Sequence, residues 1–148
     1  MKLELKHLAP YCVYGLKGKL FSNIDVVTGL DFENNIIETL NSDNCLIEDF
    51  KPILRPLSDL GKLGNENIPI NEHTINMLLG GGTYGSVYFE HYKGDLAFEV
   101  EANDMQHYDS VKSVDFYLVE KVRNELLKAN YDIFGLIPQG LAIDINTL

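Results

Sequence analysis

Along the first third of the chain, apolar and polar residues alternate in short runs separated by turn-forming residues, which predicts strands more than helices. Leu3, Leu5 and His7-Leu8-Ala9-Pro10-Tyr11 read as a short extended segment stopped by Pro10, which disfavours a helical conformation at Ala9. Residues 14–20 alternate apolar with basic or glycine positions, as a half-exposed strand does. Residues 24–27 and 36–40 predict two more strands, Asn41-Ser42-Asp43-Asn44 is turn chemistry, and residues 45–50 resume the apolar pattern. From Pro52 to Leu57 the chain must be extended, as an edge or a connector, because two prolines four residues apart oppose both a helix and a central ladder position. Ser58 offers a cap for a single turn, and residues 61–67 form the best loop, where two halves of the protein would meet.

Residues 68–79 fit either a short helix capped by Asn71 or a strand, with the strand slightly favoured. Residues 86–92 and 95–101 pair around a Lys93-Gly94 turn, with Phe89 opposite Phe98 and Val87 opposite Val100 on an apolar side, and Tyr88 opposite Glu99 on a polar one. Val111, Val114, Leu118, Val122 and Leu126 recur at spacings of three and four, which predicts an amphipathic helix capped by Asp109 or Ser110 and ending near Asn130, its stripe on the hairpin. From Tyr131 to Ile145 the chain is densely apolar, broken by Gly135, Pro138 and Gly140, and is expected to close the core. The expected fold is α+β: a small curled antiparallel sheet with a C-terminal β-hairpin packed by one amphipathic α-helix, residues 1–148 as a single domain with a sub-division near 61–67 held open.

Composition narrows the function classes. A chain of 148 residues is long enough to bury a core without staples. Twelve Lys and Arg against 22 Asp and Glu give a net charge of -10. Binding to polymeric nucleic acid needs clustered cations, and in the sequence the cations stand singly among carboxylates. Cys12 and Cys45 match no metal or redox spacing, and both read as reduced. The first residues are not a secretory signal, and no apolar run approaches the ~20 residues that span a bilayer, so no membrane partner is expected.

Candidate chemistry is sparse. Leu79-Gly80-Gly81-Gly82-Thr83-Tyr84-Gly85-Ser86-Val87 has the glycine spacing of the protein-kinase phosphate loop, in which backbone N–H groups approach phosphate oxygens. The remainder of that pattern is missing: Glu99 stands where a lysine is needed, there is no H-R-D segment, and Asp132-Ile133-Phe134-Gly135 has one residue too many for D-F-G. A tight strand-to-strand loop is the simpler reading, and a ligand-contacting loop the alternative. His7, His73, His91 and His107 lack metal-ligand spacing, so no metal or cofactor is expected, and Glu90, Glu99 and Glu101 read as solvated carboxylates rather than acid–base groups. No catalytic residue is assigned. The candidate ligand-binding set is Gly80, Gly82, Thr83, Tyr84, Gly85, Arg55, Tyr11 and Tyr14: glycines for a phosphate, tyrosines for stacking or a partner interface, and Arg55, held between two prolines, for a phosphate or a carboxylate.

Three segments together carry a resemblance: His7-Leu8-Ala9-Pro10-Tyr11 with Tyr14-Gly15-Leu16-Lys17, then Ile53-Leu54-Arg55-Pro56-Leu57-Ser58-Asp59-Leu60, then Tyr131-Asp132-Ile133-Phe134-Gly135-Leu136-Ile137 with Gly140-Leu141-Ala142-Ile143-Asp144. The set resembles a family of small uncharacterised proteins encoded by phages and prophages of gut-type bacteria. The resemblance brings no catalytic residues. It implies a binding protein in the host cytoplasm, whose partner is a small nucleotide-like defence signal or, as the alternative, a host or phage protein. A homo-oligomer is compatible with either.

Overall fold

The computed structural model describes residues 2–61, 84–92, 95–102 and 116–148, and over these the fold is α+β. Helix α1 (Leu5–Cys12) leads into strands β1 (Lys17–Leu20), β2 (Asn23–Asp31), β3 (Ile36–Thr39), β4 (Cys45–Leu46) and β5 (Phe50–Leu54). Strands β6 (Tyr84–Tyr92) and β7 (Asp95–Ala102), helix α2 (Phe116–Lys128) and strand β8 (Ile143–Asp144) follow. One sheet has the order β4-β3-β2-β1-β5-β8, and β6 and β7 form a second sheet of two strands.

Turn chemistry fixes the meander. Leu20 pairs with Asn23 across the two-residue Phe21-Ser22 turn, and Phe21 has a φ of 54°. After β2, the Asp31 carboxylate accepts the N–H groups of Glu33 and Asn34, both at 3.0 Å, and the Asn34 side chain at 2.8 Å. That is the local side-chain bonding through which Asp bends a chain. Gly18 is required by packing: a Cβ there would overlap the ring of buried Phe50 on the neighbouring strand.

Three expectations are corrected. The sheet is mixed, because β8 runs parallel to β5 through Ile53–Ile143 and Leu54–Asp144. The chain reaches that position by a long crossover that includes α2, the connection parallel strands require. Strand β5 is neither an edge nor a connector, since it lies between β1 and β8. Pro52 is tolerated because the β8 ladder starts at Ile53, so at the proline only the β1 side is paired. Residues 5–12 are helical although Pro10 lies inside the helix. Leu5, Leu8 and Tyr11 fall on one buried side, Lys6 is exposed, and the Glu4 N–H is taken by His7 Nδ1 at 3.1 Å. The hydrogen bond that proline forfeits would have gone to the Lys6 carbonyl, and Lys6 is exposed to water.

Helix α2 ends as its sequence suggests. Asn130 takes a φ of 56°, Asn130 N–H bonds Leu127 O at 3.0 Å, and Tyr131 N–H bonds Leu126 O at 2.9 Å. This pair of bonds around a left-handed residue satisfies the last carbonyls of the helix. In the second sheet Phe89 pairs with Phe98, Val87 with Val100 and Tyr88 with Glu99, and the register shifts between Tyr84 and Ser86, placing Gly85 at an irregularity. The loop at 61–67, the ambiguous segment at 68–79, the Lys93-Gly94 turn and the helix caps at Asp109 and Ser110 lie outside the described residues, apart from Gly61 at the end of a 3-10 turn.

The segment after α2 is laced into the core. Arg55 N–H donates to Asn130 O and Asp132 N–H to Arg55 O, both at 2.8 Å. The Tyr11 hydroxyl donates to Tyr131 O at 2.8 Å and accepts from Ile133 N–H at 3.2 Å. The buried Asp132 carboxylate accepts the N–H groups of Leu136 and Ile137, each at 2.8 Å. Tyr131, Ile133 and Leu136 are thereby held in the same core as Leu8, Leu16, Phe50 and Leu126.

A second buried carboxylate, Asp25, accepts from Val26 N–H at 2.8 Å, Asn41 N–H at 3.0 Å and the Asn41 amide at 3.1 Å. Burial opposes its ionisation, but hydrogen bonds from Ser42, Val26 and Asn41 outweigh burial and hold its pKa down from 3.8 to about 2. Its contribution to stability is complete above the unfolded value and is lost as pH falls through about 2. His7 is also lowered, by burial acting against the attraction of Glu4, so its contribution starts to fall once pH drops below about 6.5. Denaturation midpoints recorded from neutral to strongly acid pH are expected to decline in two stages, and Asp25→Asn to flatten the more acidic one. A single-stage decline unaffected by that substitution would contradict this assignment.

Candidate functional site

The register of β1 with its two neighbours builds a basic face. Lys19 stands opposite Ile24 of β2 on one side and opposite Lys51 of β5 on the other, and Lys17 stands opposite Val26. Residues directly opposite, and residues two apart along a strand, project to the same side of a sheet. Burial agrees: Lys17, Lys19 and Lys51 are exposed, while Gly18, Leu20, Phe50 and Pro52 on the other side are buried. Among the described residues none of the three lysines has a carboxylate within ion-pair distance, in a chain with 22 of them.

Apolar side chains frame this face. Ile24 is half exposed, and Leu40, whose N–H bonds Val26 O, is exposed. Phe21, at the hairpin tip, is 77% exposed with its backbone in the left-handed region, which for a side chain of this size costs about 1–2 kcal/mol. Phe21→Gly is accordingly expected to raise stability by about 0.5–1 kcal/mol in urea titrations, after glycine's larger unfolded-state entropy is subtracted. No gain would mean that the ring makes compensating contacts.

Lys51 also borders a cavity of about 190 Å³. Leu3, Ile47, Phe50 and Leu141 give it apolar walls; Lys2, Glu48 and Gly140 complete its lining. The Lys51 ammonium donates to Gly140 O at 3.3 Å, leaving two of its three donors for other partners.

The residues singled out in the sequence are distributed differently. Tyr11 is a correction: it has no exposed surface, its hydroxyl is used within the fold, and its ring meets Phe134 edge-on at 6.1 Å, so it offers no face to a ligand. Tyr14 is exposed beyond the end of α1. Arg55 takes the carboxylate alternative: its guanidinium lies 3.4 Å from buried Asp59 and 5.9 Å from the centre of the Tyr131 ring. Tyr11 and Arg55 thus both grip the segment around Tyr131, as structural partners. Tyr84 and Gly85 begin β6, and Gly80, Gly82 and Thr83 lie outside the described residues.

No protein-family model matches the chain, and no curated protein or solved structure is significantly similar to it. Among the described residues, no three His, Cys, Asp or Glu side chains converge as metal ligands would, and no helix is long and apolar enough to cross a membrane. The Cys12 thiol is raised by burial to about 11 and bonds Leu8 O at 3.4 Å, so it stays protonated at neutral pH. The lysine face was half legible in the sequence: the spacing of Lys17 and Lys19 places them on one side of a strand, but only the pairing with β5 adds Lys51.

Proposed function

We propose that this chain is a non-enzymatic binding protein of phage or prophage origin that takes up a small nucleotide-like anion and so withdraws a signal used in host defence. The observation that carries the reading is the row of Lys17, Lys19 and Lys51 with no carboxylate within ion-pair distance among the described residues. Like charges directly opposite across two strands repel. The chain could have relieved this with one of its many acids; a phosphate between Lys19 and Lys51 relieves it equally and is selected by it. The net charge of -10 favours a short anion, because a polymer would also meet the acidic remainder of the surface. In the same reading the N-terminal part of the α2 stripe covers the β6–β7 hairpin, while Val122 and Leu126 lie in the core with Leu8.

Titration calorimetry with mononucleotides and a cyclic dinucleotide at low salt is expected to show binding that weakens as salt rises. Lys19→Glu combined with Lys51→Glu should weaken it by about tenfold or more, the nucleotide being recovered unaltered. No binding at low salt, or a double variant that binds as before, overturns the reading. The exposed Phe21, Ile24 and Leu40 beside the lysines favour a second reading, an interaction module docking on an acidic host or phage protein. Capture of one defined partner that Phe21→Gly abolishes, with no nucleotide bound, would select it.

A further inference from the structure

We infer that the cavity beside Lys51 is a ring-binding subsite and that the anion is a pyrimidine nucleoside phosphate; this rests on the anion-binding reading above and deepens it. Pockets that enclose a complete small ligand run to about 300–1,000 Å³. A cavity of about 150 Å³ walled by Leu, Ile and Phe admits one benzene. At about 190 Å³, with walls from Leu3, Ile47, Phe50 and Leu141, this cavity takes a single ring and leaves the rest of its ligand outside. Lys51 belongs both to the cavity and to the lysine row, so a ligand anchored by its ring at Leu141 would set its phosphate at Lys51, whose partner across the ladder is Lys19.

Glu48 sets the orientation. Glu48 is the acidic residue of the lining, and a carboxylate turned into the cavity would repel a phosphate and accept an N–H from a ring edge, which uracil and cytosine both supply. A purine has a comparable edge but two fused rings, and only part of it enters.

The test is a set of amide-resolved NMR titrations of the full chain with UMP, CMP, AMP and inorganic phosphate. UMP and CMP are expected to bind about tenfold more tightly than AMP or phosphate, with shifts at Ile47, Gly140 and Leu141 as well as on β1 and β5. Glu48→Gln should bring the ratio of UMP to phosphate affinity to within about threefold while the spectrum stays that of the folded protein. If all four ligands bind alike, with shifts confined to the strands of Lys17, Lys19 and Lys51, the ring subsite is overturned and the anion-binding reading stands. If none of the four shifts any amide, both are overturned.

Discussion

Replacing Asp132 by alanine is expected to destabilise the protein by about 3–6 kcal/mol, since each of its hydrogen bonds from the N–H groups of Leu136 and Ile137 is charge-assisted and worth about 1.5–3 kcal/mol. The Leu136 donor would be left buried without its acceptor, and the Ile137 donor partly so. Against a total stability of about 5–15 kcal/mol, that is enough to leave a large unfolded fraction at growth temperature. Asp132→Asn keeps an acceptor oxygen and loses the charge, so it should fall between the two. Urea denaturation at constant m-value measures both. A loss below about 1 kcal/mol for the alanine would mean that the apolar contacts of Ile133 and Leu136 alone hold this turn.

Tyr11→Ala should be at least as damaging. Removing a fully buried aromatic ring costs about 3–5 kcal/mol through lost transfer and the cavity left behind. Tyr131 O and Ile133 N–H lose the hydroxyl as well and keep only their bond to each other at 2.9 Å, and Tyr11→Phe isolates the two lost bonds at about 1–3 kcal/mol together. Phe keeps the ring, so the comparison separates core packing from hydrogen bonding. The same pair of variants distinguishes a core tyrosine from a ligand-stacking one. Wherever Tyr11→Phe remains folded, its nucleotide affinity should equal that of the unaltered chain. A fall in affinity with stability unchanged would restore Tyr11 to the binding site.

What the sequence made legible was the part governed by near neighbours. Turn residues placed β1 to β3, the spacing of Val122 and Leu126 with αL-tolerant Asn130 placed the end of α2, and the apolar run after it was assigned to the core, where Tyr131, Ile133 and Leu136 lie. What escaped was decided at a distance. Pro10 argues locally against a helix by about 3 kcal/mol, but the burial of Leu5, Leu8 and Tyr11 in a core drawn from both ends of the chain outweighs it. Pro52 in β5 and Pro56 beyond it argued for an edge or a connector, and only the late start of the β8 ladder makes an interior place acceptable. Tyrosine is ambiguous between core and site by its nature, and the partners that decide it for Tyr11 are more than a hundred residues away. The lysine face needed the β1–β5 register, which no local pattern encodes.

The bond between Tyr11 and the Tyr131 carbonyl joins residues 120 positions apart. The β1–β3 meander can assemble as soon as its own residues exist, because its pairs are close in sequence. Helix α1 can meet β2 as early, but the partners of the Tyr11 hydroxyl exist only once the Tyr131–Leu136 stretch has been synthesised. Contacts of such long range slow the search for the native state, because the loop must close before any of them can form. On the ribosome the docking of α1 would therefore be completed late, and for most of translation the Tyr11 hydroxyl would lack the partners that it has in the folded core.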